Sequence, residues 1–449
     1  MRVCIVFLLF VARALSAGEC SVTLDEALDS ALCYNYTLET KRFMKCEGDA
    51  RVQQAWSRFW PKIVWSGEYL HSPAASFSGT TIDSHSHTFE GRQIFFDSDA
   101  MYSLKIRRSE LDSLRYEIEA FVDKLVFDVR SAYYLIVVSG ANVRVQEENV
   151  RLLKEQASRE MDRLRAGSST QFIVDQATVA AANATTELHI ARRNHKINQS
   201  SLAGLMGLDA SQARCLEPVI KVIPLEQHEL IANKIAFLDN DGDSDFLWDS
   251  EEREWWLETM YKGRSDLKAH KAQIASAEMG VHQQRSEYLP RVDGFARHLE
   301  LSKDSFGASF FGGKTSYWET GVTFTWTLFD GFAREGRIRE ARMVRNGKVA
   351  DCRQAVQAAT LGLQDRFDDI EESLQAYQSA RFAANIAESG VDRALKRHQH
   401  GAITPLEYRD SIYQLTDARQ RELRAGYALL ISYFALRRDT GLDRLEEEI

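Results

Sequence analysis

Chain-breaking residues and regularly spaced cysteines are what this sequence lacks most. Its 449 residues include only 6 prolines and 25 glycines, and the proline share is far below the average for proteins. This scarcity excludes a collagen-like or Pro/Gly-rich disordered chain and disfavours a loop-rich sandwich. The 6 cysteines have no regular spacing and do not indicate a disulfide framework. With 56 basic and 65 acidic residues, the net charge of −9 gives no footprint for nucleic-acid binding.

Motifs for catalysis and cofactor binding are also missing. No P-loop, HExxH or GxGxxG pattern and no nucleophile motif occurs in the chain. The acidic run at 239–245 resembles a calcium loop, but Ser244 and Ser250 stand where the EF-hand template requires Gly and Glu. We therefore predict an acidic turn at 239–245, and no enzymatic activity, cofactor or metal site.

The N-terminus has the pattern of a secretory signal peptide. Arg2 precedes an apolar run over 3–12, and small residues follow as far as Gly18, so residues 1–18 are predicted to be a signal peptide. Cys20 leaves open a lipid-modified N-terminus, although Glu19 occupies a position where a small residue is needed. No later stretch reaches the ~18–20 apolar residues of a membrane-spanning helix. The mature chain is thus either soluble in the exported compartment or crosses a membrane as β-strands.

The rest of the chain is internally duplicated. Gly167 and Gly401 lie in similar Arg…Gly…Thr segments, and 202–209 resembles 436–443. Both matches have the same offset, because 401 − 167 and 436 − 202 both equal 234. Two long copies indicate a duplication. The predicted domains are a first repeat over 19–209, an acidic connector over 210–263 and a second repeat over 264–449. In the connector, Trp248, Trp255 and Trp256 are predicted to pack against the helices.

Each repeat is predicted to contain a long helical hairpin. Apolar residues recur every seven positions over 122–164 and again over 349–391, which is the period of a left-handed coiled-coil seam. The segment 335–399 contains no proline and is predicted to form one helix. Returning and shorter helices are predicted over 172–205, 405–438, 24–60 and 265–289.

Two β-strands are predicted between the short helix and the hairpin of each repeat. The segment 322–328 alternates apolar residues with threonine, which gives a strand two unlike faces. Surface loops are predicted at 71–87 and 303–316. Four strands cannot close a sheet, so the chain is predicted to oligomerise. The residues predicted to face lipid are Val322, Phe324, Trp326 and Leu328.

Short segments of the chain match the pattern of one known family. Thr23–Leu28 matches the start of its first helix, and Arg264–Leu267 matches the start of its second repeat. Leu328–Gly331 matches its strand-to-helix corner, with Phe332 in place of a common second glycine. With the two Arg…Gly…Thr segments and the order of the elements, nearly the whole mature chain resembles the TolC family of outer-membrane channel proteins.

This resemblance implies a mainly α-helical fold with a small β part. Duplicated long helical hairpins would form a coiled-coil tunnel, and four strands per chain would contribute to a twelve-stranded, trimeric transmembrane β-barrel. The implied function is a passive export duct in the outer-membrane lipid, with its helices in the periplasm. Its implied partners are two further copies of the chain, a periplasmic adaptor protein and an inner-membrane transporter of an efflux or type I secretion system.

The resemblance also assigns roles to residues at the ends of the hairpins. These ends, called the tips, would gate the duct and dock the adaptor. Glu407 and Asp410 would narrow the tunnel as two rings of three carboxylates, which attract cations, although a solvated acidic pair near a helix N-terminus is an alternative. His398 and His400 flank the second tip and are predicted to be exposed. The implied docking residues are Arg163, Gly167 and Thr170 of the first tip and Arg397, Gly401 and Thr404 of the second.

A second function remains compatible with the sequence. The chain could be a soluble or lipid-anchored periplasmic coiled-coil adaptor or scaffold, held at the membrane only through Cys20. In that case the apolar face of 322–328 would pack against a protein core.

Overall fold

The structure, a computed structural model, consists mainly of helices with six strands among the residues it describes. In chain order these elements are β1 (Cys20–Val22), α1 (Leu24–Tyr34), α2 (Tyr36–Ser57), β2 (Lys62–Pro73), β3 (Thr81–Phe96), α3 (Ser98–Arg165), α4 (Gln171–Leu205), β4 (Leu216–Pro218), α5 (Glu229–Asp239), α6 (Ser250–Gly263), α7 (Ser265–Ser286), β5 (Arg291–Ser305), β6 (Gly313–Thr325), α8 (Ala333–Gln399) and α9 (Pro405–Thr440). The described residues are 20–73, 81–208, 216–219, 225, 228–239, 248–305 and 313–442. The predicted signal peptide therefore lies outside them, as does 240–247, most of the predicted acidic turn.

The predicted helix over 24–60 is in fact two helices that meet at Asn35. The Asn35 side chain accepts hydrogen bonds from the backbone N–H groups of Thr37 and Leu38, at 3.0 and 3.1 Å, and so caps the start of α2. Its amide nitrogen also donates to the Leu205 carbonyl at 3.0 Å. Asn35 thus ends α1, begins α2 and attaches both to the end of α4. The long helices follow the predictions more closely, since α8 spans the predicted 335–399 and α3 runs unbroken for 68 residues.

The chain folds into two compact units, each drawing on both halves of the sequence. The helical unit comprises the described parts of Met1–Lys41, Ile118–Ser265 and Gln357–Ile449. The predicted seven-residue series contributes strongly to its core: Val129 and Ile136 of α3 and Leu363 and Ile370 of α8 are fully buried. Most alanines of α4 also pack inward, which allows close helix packing. The buried ones are Ala177, Ala180, Ala181, Ala184, Ala191 and Ala203, whereas Ala182 is exposed.

The end of α4 and the end of α9 make equivalent contacts within the helical unit. Gly207 follows α4 in the left-handed conformation (φ 70°), and a Cβ placed on it would lie 2.3 Å from the Tyr34 carbonyl oxygen. Gly441 follows α9 in the same conformation (φ 69°), and its Cβ would lie 2.8 Å from the carbonyl carbon of Gly263. The two glycines are again separated by 441 − 207 = 234 residues. Each one permits a close backbone approach to the end of a preceding helix.

The connector contributes structure that the sequence did not reveal. Strand β4 pairs in parallel with β1, and the Tyr133 hydroxyl donates to the Val22 carbonyl at 3.0 Å. Trp248 is buried and packs on Phe367 with ring centroids 4.7 Å apart. Trp256 is also buried, but Trp255 is exposed, so the prediction that all three tryptophans pack inward is wrong for Trp255.

The second unit comprises the described parts of Arg42–Glu117 and Asp266–Val356, and it contains a four-stranded antiparallel sheet. The strand order is β2-β3-β5-β6. The strands are longer than predicted at one end, because β2 and β3 remain paired as far as Pro73 and Thr81, inside the predicted loop 71–87. The predicted loop 303–316 is shortened in the same way by β5 and β6.

At its other end, β6 is shorter than predicted. The strand stops at Thr325, so Trp326 and Leu328 lie beyond it and the prediction of a strand over 322–328 is wrong for these two residues. The Trp326 indole donates to the Tyr288 carbonyl at 3.0 Å instead of continuing the alternation. Among the described residues, no helix combines the length and apolar content needed to cross a membrane.

Candidate functional site: the helical tips and one face of the sheet

The two tips have the same backbone turn. At the first, Gly167 has φ 74° and the N–H groups of Gly167 and Ser168 donate to the carbonyls of Leu164 and Arg163, at 2.9 and 2.8 Å. At the second, Gly401 has φ 68°, and the N–H groups of Gly401 and Ala402 donate to the carbonyls three and five residues earlier, at 3.1 and 2.8 Å. This pair of bonds is the Schellman motif, and its left-handed residue favours glycine. The predicted turns at Gly167 and Gly401 are therefore confirmed.

The helices that follow the tips begin differently. Thr404 caps α9 through a reciprocal pair of bonds: its hydroxyl accepts from the Glu407 N–H at 3.2 Å, and the Glu407 carboxylate accepts from the Thr404 N–H at 2.7 Å. This is a capping box. Thr170 occupies the equivalent position before α4, but its side chain makes no capping bond. The reciprocal bond is missing as well, because Ile173 stands where Glu407 stands in the second tip.

Glu407 and Asp410 are both exposed in the single chain. The N–H and hydroxyl of Thr404 hold the pKa of Glu407 below its usual range, which opposes the rise that neighbouring carboxylates would cause. Asp410 accepts from the Gln414 amide at 2.9 Å. Glu407 therefore has a structural role as a cap, and this role leaves its negative charge in place at neutral pH.

The two tip arginines are not equivalent. Arg397 is exposed, whereas Arg163 is half-buried and donates to the His398 carbonyl at 3.0 Å. The two tips are thus joined by a side chain of the first and a carbonyl of the second. Thr170 and Gly167 remain at the surface of the first tip.

His398 overturns one prediction from the sequence. It was expected to be exposed, but it is 1 % exposed, and its Nε2 lies 3.0 Å from Oε1 of Glu160, which is also 1 % exposed. His400 is exposed as predicted. A signal for this burial is present in the sequence, because His398 lies seven residues after Val391 and so continues the apolar seam of α8.

A cavity of about 310 Å³ lies beside the tips, within the helical unit. Apolar side chains line much of it, including Ile173 and Leu406, and Arg409 adds a cation. Gln156 lies in its wall and donates to the Pro405 carbonyl at 2.8 Å. The cavity therefore offers a mainly apolar recess with one positive charge at its edge.

In the other unit, strand register defines the two faces of the sheet. Val322 and Phe324 share one face, and both are more than 60 % exposed. This apolar face also carries the exposed side chains of Ile63, Trp65, Tyr69, Phe89 and Trp318. The opposite face carries the ion pairs Arg297–Glu319 and Arg92–Glu90. Toward the far end, the apolar face becomes polar, with the ion pair Lys314–Glu300.

Solved outer-membrane channels have a fold similar to this one. Similarity is found to CusC, whose crystal structures describe folding and transmembrane channel formation, with a TM-score of 0.77, 16 % identity and coverage of 93 % of this chain and 92 % of that chain. The outer membrane protein VceC of Vibrio cholerae matches with a TM-score of 0.73 and 17 % identity, over 93 % of this chain and 96 % of that one.

The family follows from the sequence match. The chain belongs to the outer membrane efflux protein family, whose model matches residues 27–208 and 256–442. Protein CyaE of Bordetella pertussis is 23 % identical over 359 residues, which cover 79 % of this chain and 70 % of that protein. The resemblance to the TolC family is thereby confirmed. The chain is an outer-membrane efflux protein whose helical part lies in the periplasm.

Proposed function

We propose that the chain is the export duct of a tripartite efflux or type I secretion system. In this proposal it assembles as a homotrimer and conducts substrates passively from a periplasmic adaptor and an inner-membrane transporter to the exterior. The two repeats, 19–209 and 264–449, supply the helical hairpins of the tunnel, and the connector 210–263 joins them.

The observation that carries this proposal is the sheet. Strands β2 and β6 are its edges among the described residues, and each leaves a row of backbone N–H and C=O groups to be paired. Lipid cannot satisfy these groups, so the edges must pair with other copies of the chain. Three copies would supply twelve strands, enough to leave a channel rather than a packed interior. The exposed apolar face, with Val322 and Phe324, would then contact lipid.

The tips are the proposed docking surface for the adaptor. Nothing lies within 4 Å of a Cβ placed on Gly167 or Gly401, so the backbone of a partner can approach closely at both turns. Arg397 is exposed beside the second turn, and the cavity beside the tips can receive an apolar side chain. Arg163 and Thr404 support this surface from within, since both bind backbone groups of the chain itself.

Glu407 and Asp410 are proposed to form the two carboxylate rings that narrow the tunnel. The variant Glu407→Gln with Asp410→Asn removes six charges from a trimer but keeps the helix cap, because Gln also serves in a capping box. We expect the cation-to-anion permeability ratio of single channels to fall several-fold toward one. Asp175→Asn, an exposed carboxylate after the first tip, is the control and should leave the ratio unchanged. An unchanged ratio in the double variant would rule out the rings.

Cell fractionation followed by mass determination tests the duct itself. Three copies of the 51.1 kDa chain predict an unheated, detergent-extracted complex of about 150 kDa from the outer membrane. A protein released with the aqueous periplasmic fraction would instead support the coiled-coil scaffold, which membership of an outer-membrane family does not favour.

A further inference from the structure

A chain of hydrogen bonds runs from helix α3 through helix α4 to strand β4 inside the helical unit. Nδ1 of His195 lies 2.8 Å from the Ser139 hydroxyl, and its Nε2 lies 3.2 Å from Nε2 of Gln199. The same Gln199 nitrogen donates to the Leu216 carbonyl at 2.9 Å. Gln199 is 4 % exposed and Leu216 is 2 % exposed. One imidazole and one amide thus attach strand β4 of the connector to the long helical hairpin.

The partners in this chain fix which nitrogen of His195 carries the hydrogen. The Leu216 carbonyl can only accept, so the Gln199 atom that contacts it is the amide nitrogen, which can only donate. Nε2 of His195 faces that same nitrogen and must accept, which leaves the hydrogen of a neutral imidazole on Nδ1. Nδ1–H donates to the Ser139 hydroxyl, whose own hydrogen goes to the Ile136 carbonyl at 3.0 Å. Each link therefore has one donor and one acceptor when His195 is neutral.

A second proton on His195 disrupts this chain. Protonated Nε2 needs an acceptor, but the nitrogen that faces it is a donor. If the Gln199 amide turns to place its oxygen at that point, the same point no longer supplies a donor to the Leu216 carbonyl. The bond between Gln199 and Leu216 is buried, so its loss is costly. The attachment of β4 therefore fits the neutral imidazole better than the charged one.

Burial acts in the same direction as this geometry. It is the largest influence on His195 and lowers its pKa. The Glu217 carboxylate of β4 raises this pKa and the Arg144 guanidinium of α3 lowers it, but both are smaller influences, and both side chains are exposed. An imidazole that leaves this site for water is therefore protonated more readily than the packed one.

We propose that His195 is an acid-sensitive tether, which holds β4 and its partner β1 against the hairpin at neutral pH and lets them detach when it is protonated. Strand β1 pairs in parallel with β4 along all three of its residues, so the change extends to the first strand of the described chain. Because the packed tether excludes a proton that the detached one binds, the ratio of detached to packed chains rises as the pH falls below the imidazole range, by up to tenfold per pH unit.

Hydrogen exchange of the detergent-extracted, full-length chain at pH 7.5 and pH 5 tests the tether. After correction for the intrinsic effect of pH, amides within 20–22 and 216–219 should lose protection at pH 5, whereas those of 129–137 in the core of α3 should not. His195→Gln has no group that titrates in this range, so its protection should be equal at both pH values. His189→Gln replaces an exposed histidine six residues earlier on the same helix; it is the matched control and should lose protection as the wild type does.

Gln199→Met cuts the path from the imidazole to β4 while keeping a side chain of similar length. In this variant 216–219 should be poorly protected at both pH values, and the pH dependence should be absent. Equal protection of the wild type at pH 5 and pH 7.5 would overturn the tether, as would a pH dependence that persists in either His195→Gln or Gln199→Met. A loss of protection that extends to 129–137 would also overturn it, because the acid response would then be unfolding of the whole helical unit.

Discussion

Replacing Gly207 by alanine should strongly destabilise the helical unit. The new Cβ would lie 2.3 Å from the Tyr34 carbonyl oxygen and 2.8 Å from its carbon, well inside van der Waals contact. The neighbour is backbone, so it cannot rotate away as a side chain could. Gly207 also has φ 70°, a conformation that other L-residues avoid.

The two costs can be estimated separately. Holding a non-glycine residue in the left-handed region costs about 1–2 kcal/mol. Forcing an extra carbon into a filled site typically costs about 1–3 kcal/mol through backbone shifts. The free energy of unfolding should therefore fall by about 2–5 kcal/mol, a large part of the ~5–15 kcal/mol that holds a typical domain together. Gly441→Ala should have a cost of the same kind, because its Cβ would meet the backbone of Gly263.

Gly204→Ala provides the matched control. Gly204 lies in the last turn of the same helix, three residues away, and nothing lies within 4 Å of its added Cβ. Alanine in a helix is favoured over glycine by about 0.5–1 kcal/mol, so this variant should be neutral or slightly stabilised. Urea unfolding of the detergent-extracted chain, followed by helical circular dichroism, compares the two. If Gly207→Ala and Gly204→Ala unfold at the same urea concentration, the close contact between Gly207 and Tyr34 is refuted.

Two further predictions concern the apolar face of the sheet and the capped tip. Val322→Lys should abolish assembly in the outer membrane, because a charge facing lipid costs about 2–4 kcal/mol near the bilayer centre. Thr323→Lys places the same charge on the opposite face and should assemble. Equal yields of unheated, detergent-extracted trimer from the two variants would contradict the assignment of the faces. Thr404→Ala should lower the local stability of the first turn of α9 by about 1 kcal/mol, which hydrogen exchange measures as reduced amide protection. Thr170→Ala should change the amide protection at the start of α4 much less, because Thr170 makes no capping bond. Equal losses of protection at both helices would contradict the difference in capping.

The helices were the most predictable part of this fold, because their signals are local and repeated. The seven-residue series marked the seams, and the duplication placed Gly167 and Gly401 at equivalent turns. Asn35 was missed because a single polar residue inside a helical pattern is usually tolerated, and only its bond to the Leu205 carbonyl shows why the helix breaks there. The β1–β4 pair was missed because its partners lie far apart in the chain and each spans only three residues.

The limits of strand β6 were harder to predict, because alternation in a sequence does not require hydrogen bonds. Trp326 and Leu328 continue the alternation, yet the strand ends at Thr325, where its partner β5 begins at Arg291. Strand length is decided by where both partners begin and end, and a single segment does not contain that information. For the same reason β2 and β3 extend into a predicted loop, since each supplies the pairing that the other needs.

The two halves differ at the seam positions that are buried beside the second tip. At the offset of 234, Glu160 corresponds to Ala394 and His398 corresponds to Leu164. One such pair of positions therefore holds Leu164 and Ala394, both apolar, while the other holds His398 and Glu160. A buried His–Glu pair costs free energy unless its polar atoms are hydrogen-bonded, and Arg163 and Ser169 lie within hydrogen-bond distance of it. Divergence at two seam positions is thus sufficient to place a buried polar cluster beside the second tip, without any change to the turns at Gly167 and Gly401.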